Sequence, residues 1–104
     1  MIKLSVILVN WNTCDLTRQA LASVYKETQG IDFEVIVVDN NSGDGSLEMI
    51  KKEFPQAVLI VNTDNLGFGK ANNQGLKIAQ GDYLMFLNTD VVVLDGALNK
   101  LVNY

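Results

Sequence analysis

The chain has 104 residues, 48% of them hydrophobic, with one proline and a formal net charge of −4, which fits one compact domain with a real core and excludes both a disordered segment and a two-domain arrangement. It carries no basic run and no apolar stretch near the roughly 18 residues of a membrane span, so nucleic acid is not an expected partner and no transmembrane segment is expected. There is no histidine and one cysteine, Cys14, which excludes a Ser-His-Asp or Cys-His centre and an internal disulfide within these residues, and suits a reducing compartment.

Ser5 to Val9 is a continuous apolar run that stops at Asn10-Trp11-Asn12. Continuous rather than alternating apolarity predicts a strand covered on both faces, as in a parallel sheet. Thr13 is placed to cap a helix in which Leu16, Ala20 and Val24 share a face, and Gly30 ends that unit. Phe33 to Val38 is the second run, stopped by Asp39-Asn40-Asn41-Ser42-Gly43-Asp44-Gly45-Ser46, a density of Asx and Gly that makes a tight polar loop. A helix with Leu47, Ile50 and Phe54 on one face follows and stops at Pro55.

Ala57 to Val61 is the third run, ending at Asn62-Thr63-Asp64-Asn65. Phe68, Ala71, Gly75, Ile78 and Ala79 then keep helical spacing. A glycine inside a helix costs roughly 1 kcal/mol relative to alanine, so Gly75 implies close packing against a strand or ligand. Gly81 closes the helix, and Tyr83 to Leu87 forms a fourth, buried strand that stops at Asn88-Thr89-Asp90. A second short run, Val91 to Val93, leads to a last helix capped by Asp95, with Leu98, Leu101 and Val102 inward.

Strand and helix alternate with short loops. That predicts an α/β fold, a three-layer sandwich with a mainly parallel sheet, right-handed crossovers and helices on both faces. Ligands bind such sheets beyond the carboxyl ends of the strands. All four of those ends are dense in Asn and Asp. In any single loop this is ordinary turn and cap chemistry. In all four loops of one edge it points to a site, with amides and carboxylates for hydroxyls and base edges, and helix N-termini for phosphates. Trp11 or Phe68 suits stacking on a ring, and each equally suits the core. Asp44, Asp64 and Asp95 read as caps rather than ligands. No G-x-x-x-x-G-K-[ST] is present and no G-x-G-x-x-G follows the first strand, which excludes a P-loop and argues against a dinucleotide site.

Four segments together, Ser5 to Asn12, Val37 to Ser46, Asn65 to Gly75 and Gly81 to Asp90, resemble family 2 glycosyltransferases, and within them the rhamnosyltransferase-like bacterial members. The resemblance covers essentially the whole chain. It implies the nucleotide-diphospho-sugar transferase (GT-A) fold and transfer of a sugar, rhamnose in those members, with inversion to an acceptor hydroxyl. It also implies a Mg²⁺ or Mn²⁺ held through an Asp-x-Asp motif. By resemblance Asp39 recognises the base, Asn10 and Asn12 line the nucleotide pocket with Asn41, and Asp90 is the metal-binding aspartate. Asn88 stands where the motif has its first Asp and can hydrogen-bond a ribose hydroxyl without supplying charge. Where the family often reads Ala-Arg-Asn, this chain reads Ala71-Asn72-Asn73, so the Arg is absent and Lys70 and Asn73 are the nucleotide-binding candidates on that helix.

The expected partners are a nucleoside diphosphate-sugar donor and a saccharide or lipid-linked acceptor. The implied setting is bacterial polysaccharide synthesis, in the cytoplasm or at the inner face of the membrane. The general base and the acceptor-binding half are expected after Tyr104, so residues 1–104 form a single donor-binding domain that is inactive alone. An uncovered sheet edge would then favour a homodimer. The alternative is a non-catalytic nucleotide-sugar-binding or assembly module. A receiver-type domain fits less well, because Asn10-Trp11-Asn12 replaces the acidic cluster that such a domain carries after its first strand.

Overall fold

A computed structural model describes residues 1–91, 93 and 96–102 of the chain. Four strands, β1 (Leu4–Asn10), β2 (Phe33–Asp39), β3 (Val58–Val61) and β4 (Tyr83–Leu87), alternate with α1 (Cys14–Glu27), α2 (Ser46–Glu53), α3 (Phe68–Ile78) and α4 (Ala97–Val102). The sheet order is β3-β2-β1-β4, and all three pairings are parallel. The chain steps from β1 to β2 to β3 in one direction, then returns across the sheet to β4. Right-handed crossovers put helices of opposite steps on opposite faces. Accordingly α1 and α2 cover one face and α3 the other, giving the three layers expected.

Residue alternation along β1 divides the core. Leu4, Val6 and Leu8 face α1 and α2, packing with Leu21, Val24, Val35, Val37, Ile50 and Phe54. Ile7 faces α3 and packs with Ile36, Val38 and Ala71. Tyr25 stands between Phe33 and Phe54, at ring separations of 5.7 and 5.9 Å. Its burial pushes the phenol up to about 12.

Several expected faces shift. On α1 the inward positions are Thr17, Ala20, Leu21 and Val24, while Leu16 is exposed. A stripe of residues four apart drifts around a 3.6-residue helix, and the true stripe starts one residue later. On α2 Met49 joins Ile50 and Phe54 in the core, and Leu47 is half-buried. On α3 the inward residues are Ala71 and Gly75, with Ala79 partly buried beside them, and Phe68 and Ile78 are exposed. The strand β4 is not buried on both faces. Met85 and Leu87 pack on the α1 side, but Tyr83, Leu84 and Phe86 are exposed. The physical reason is the strand order: β4 is an edge, and α3 packs over β1 and β2. After β4 the chain turns back over α1, where the Val93 amide donates to Ser23 Oγ (2.9 Å) and Leu98 is buried. Asp95, expected to cap α4, lies outside the described residues, as do the side chains of Leu101 and Val102.

Two glycines are fixed by contact. A Cβ on Gly75 would meet Ile7 Cγ2 at 2.7 Å, so the expected close approach is to a strand. A Cβ on Gly81 would meet backbone, with Ser5 N at 2.5 Å and Leu4 C at 2.7 Å. Gly81 is therefore not a helix terminator, since α3 already stops at Ile78. It lets the α3–β4 turn lie against β1, where Ser5 Oγ accepts from the Gly81 amide (2.8 Å) and donates to Glu34 (2.6 Å). Gly81→Ala is expected to lower stability by about 2 kcal/mol, the usual scale of overpacking. Gly43→Ala, with nothing within 4 Å of the new Cβ, is expected to be near neutral. Chemical denaturation of both variants checks this.

Candidate functional site

The carboxyl ends of β1 and β2 meet in register at Asn10 and Asp39. Both side chains are fully buried. Asn10 Nδ2 donates to Asp39 Oδ1 (2.7 Å) and to Ser42 Oγ (3.2 Å), while Asn10 Oδ1 accepts from Thr13 and Thr17 hydroxyls at 2.7 and 2.8 Å. Every hydrogen-bonding position of that amide is used inside the protein, which fixes its orientation. Thr13 occupies the N-cap position of α1, as expected, but its hydroxyl serves Asn10 rather than the helix.

Asp39 receives three donors: Asn10 Nδ2 and Ser42 Oγ (2.8 Å) at Oδ1, and the Ser42 amide (2.9 Å) at Oδ2. Ser42 Oγ also accepts from the Asn12 amide (2.9 Å), and Asn12 Oδ1 accepts from the Gly43 amide (2.8 Å). The loops after β1 and β2 are thereby stitched together. Asn12 and Asn41 sit at φ 52° and 68°, the left-handed region that Asn enters more readily than most residues. Both are exposed.

Asp44 acts as the cap read from sequence, for two helices at once. Its Oδ2 accepts from the Cys14 amide at the start of α1 (3.0 Å), and its Oδ1 from the Ser46 amide (3.1 Å) and the Ser46 hydroxyl at the start of α2. Desolvation pushes the Asp44 carboxyl upward, but the hydrogen bonds from Ser46 and Cys14 together outweigh it and hold the group below the usual carboxylate value.

A second network lies under the β3–α3 loop. Asn62 and Gln74 pair reciprocally, each amide donating to the other at 2.8 Å. Asn62 also donates to Asn40 Oδ1 (3.0 Å). Asn40 in turn donates to the Gly67 carbonyl (3.2 Å) and accepts from the Leu66 amide (3.4 Å).

A cleft of about 340 Å³ opens between these two networks. Val9, Trp11 and Thr13 line it from β1 and its loop, and Asn40 from β2. Asn65, Gly67 and Phe68 line it from the loop into α3, and Asn88 and Thr89 from the end of β4. It sits where the strand order reverses, between β1 and β4, the expected ligand position for an open α/β sheet. Trp11 and Phe68 are 53% and 55% exposed, so neither is a core residue.

Of the residues read from sequence, Asn88 lines the cleft. Asp90 follows it on the same loop and is exposed. Asn12 lines a separate, neighbouring depression with Asp44. Lys70 and Asn73 are exposed on α3 and are not among the residues lining the cleft. Asn10 is a scaffold for Asp39 and its amide does not face the cleft. Nothing in the sequence distinguishes Asn40, Asn62 and Gln74, because an amide looks the same whether it points out or inward. Among the described residues no three Asp, Glu, Cys or His side chains gather as a metal site. Asp90, with the Asn88 amide two residues before it, nevertheless suits a hard cation whose remaining ligands are phosphate oxygens and water.

Residues 5–104 match the model of glycosyl transferase family 2, and the chain belongs to that family. It is 34% identical to a poly(ribitol-phosphate) beta-glucosyltransferase of Bacillus spizizenii, over 98% of this chain and 17% of that protein. It is 33% identical to the poly(ribitol-phosphate) beta-N-acetylglucosaminyltransferase TarP of Staphylococcus aureus, over 100% of this chain and 33% of that protein. Among solved structures, S. aureus TarS 1–349 in complex with UDP-GlcNAc superposes with a TM-score of 0.85 at 30% identity, covering 98% of this chain and 30% of that one. The mannosyltransferase PcManGT from Pyrobaculum calidifontis, in complex with GDP-Man and Mn²⁺, gives 0.81 at 27%, covering 97% and 30%. The fold is therefore of the GT-A type, and the chain spans a minor part of each of these relatives. No helix of the described residues is long and apolar enough to cross a membrane.

The shared cap gives a pH prediction. Because the folded carboxyl of Asp44 is depressed, its contribution is present above the ordinary value of 3.8 and is lost as pH falls through the folded value. Asp44→Ala is expected to cost about 1 kcal/mol at pH 7, the scale of a helix cap. The gap between variant and unsubstituted chain should close below the ordinary carboxylate range. Denaturant unfolding of both chains across that range measures it.

Proposed function

We propose that this chain is the donor-binding part of an inverting glycosyltransferase that moves a sugar from a nucleoside diphosphate to an acceptor hydroxyl. What carries this reading is the placement of two exposed aromatic side chains, Trp11 and Phe68, on one cleft at the switch point of the sheet, in a chain of this family. Exposed rings beside a cleft suit a planar ligand, and a nucleobase stacks on such rings.

In this reading the base lies against Trp11 and Phe68, and Asp39, buried, hydrogen-bonded to Asn10 and Ser42 and not itself among the residues lining the cleft, reads the base only where that network opens to the ligand. Asn12 and Asn41 form the rim around the base, and Asn88 bonds a ribose hydroxyl. Lys70 and Asn73 face the phosphates only if the ligand reaches over the start of α3. Asp90 would hold Mg²⁺ or Mn²⁺ together with the diphosphate. That cation would act as a Lewis acid, neutralising the charge that builds on the leaving group. The protein's own contribution is to bind and orient the donor.

UDP is the favoured nucleotide, supported by the neighbours solved with UDP and UDP-GlcNAc. The named relatives transfer glucose and N-acetylglucosamine, which supports a sugar of the glucose series; rhamnose gains no support from them. They act on poly(ribitol-phosphate), which supports a polyol-phosphate hydroxyl as acceptor. The general base is proposed to lie outside residues 1–104, so this chain binds donor without transferring sugar. The exposed face of β4 supports self-association, to be read by light scattering at rising concentration; a monomer throughout would count against it.

Calorimetric titration with UDP, dTDP and GDP, with and without Mn²⁺, tests the site. UDP is expected to bind with a Kd below about 1 mM, more tightly with Mn²⁺. Asp90→Ala should remove the Mn²⁺ effect and leave the circular dichroism unchanged. Trp11→Ala should weaken UDP about tenfold or more. Failure of all three nucleotides to bind at millimolar concentration overturns the reading.

A further inference from the structure

We infer that Gln74 is a positioning residue for the nucleotide, holding the Leu66–Phe68 segment against the cleft through Asn62 and Asn40. This rests on the donor-binding reading above. Gln74 does not line the cleft; it stands on the inner part of α3, half-buried. Its amide is engaged in both directions with Asn62 (2.8 Å each way). Asn62 passes the constraint to Asn40 (3.0 Å), and Asn40 fastens the loop by the Gly67 carbonyl (3.2 Å) and the Leu66 amide (3.4 Å). Asn40 and Asn62 are 2% and 8% exposed.

Three elements, the ends of β2 and β3 and the middle of α3, thus send one amide each beneath one loop. That loop carries Asn65, Gly67 and Phe68 onto the cleft. Gly67 turns at φ 85°, and its carbonyl also accepts from the Ala71 amide (3.3 Å), the first bond of α3. The carbonyl is shared between the helix start and Asn40, so a shift at Asn40 moves the base of Phe68 directly. Phe68 is more than half exposed and has little packing of its own to hold it. Its position relative to Trp11 is therefore set from below, by the amides. A buried amide left without its partner costs more than the bond itself contributes, so removing Gln74 forces Asn62 to find another arrangement.

Gln74→Met keeps the length of the side chain and removes both bonds. UDP affinity is measured by calorimetry well below the melting temperature, alongside amide hydrogen exchange of the free protein. The expected result is UDP binding weaker by about fivefold to tenfold, the scale of the bonds lost. Exchange at Leu66 and Gly67 should quicken while β1 and β2 stay protected. In a Phe68→Ala background, Gln74→Met should add little further loss, because Gln74 acts through the loop that presents Phe68. A purely structural role would loosen β1 and β2 as well, and its effect on affinity would add to that of Phe68→Ala. If Gln74→Met does not fold, Gln74→Glu, which keeps the acceptor for Asn62 and lacks the donor, is measured against the same criteria. UDP affinity within twofold of the unsubstituted chain, or full additivity with Phe68→Ala, overturns the inference and leaves the donor-binding reading standing. If the unsubstituted chain binds no UDP, both fall together.

Discussion

The hydrogen bond from Asn10 to Asp39 is the interaction on which the rest of this site depends. It joins the last residues of two central strands, in a place closed to water. A buried amide and a buried carboxylate are costly unless every polar atom finds a partner. Here Thr13, Thr17 and Ser42 complete the set. The consequence reaches past the pair itself. Because Ser42 must serve Asp39, its hydroxyl is also in position to accept from Asn12, and the two loops share one geometry. Asp44 then ties the first turns of α1 and α2 to the same loops.

The opposite wall of the cleft is built differently. It is built on amides: Asn62 and Gln74 pair reciprocally, and Asn62 donates once more to Asn40. Amide pairs fix direction without the desolvation penalty of a buried ion. The cleft thus lies between a wall organised by a carboxylate and one organised by neutral amides. Each wall leaves one aromatic ring uncovered, Trp11 on the first and Phe68 on the second. The sheet order explains why the two walls face each other. The return from β3 to β4 carries α3 to the opposite face, and the loop leading into α3 crosses the switch point on the way.

Membership of glycosyl transferase family 2 gives that architecture a context, and the coverage of the relatives sets its scope. The four strand ends that meet here belong to the part of such proteins that this chain spans. Asp90 stands at the last of those strand ends, beyond an edge strand whose outer face is partly open. The polar side chains lining the cleft are the amides of Asn40, Asn65 and Asn88 and the hydroxyls of Thr13 and Thr89, groups suited to hydrogen-bonding a ligand.

Much of this was legible in the residues. Continuous apolar runs that stop at Asx clusters placed all four strands, their parallel pairing and the edge on which the cleft opens. The periodicity placed α1 to α3, and the mid-helix Gly75 announced a close approach that proved to be Ile7. These features are local: a strand's covering and a helix's stripe are written in consecutive side chains. What the tertiary structure alone decided is where each polar side chain points. Asn10 and Asn12 look alike in sequence, yet one is sealed beneath the sheet edge and the other is exposed, because register sets Asn10 against Asp39. The apolar run of β4 read as buried, yet its place in the sheet order left one face open. Gln74 gave no signal at all, since its partners stand 12 and more residues away in the chain and meet only when β2, β3 and α3 are packed. Burial pattern follows from neighbours in sequence; hydrogen-bond partnership follows from neighbours in space.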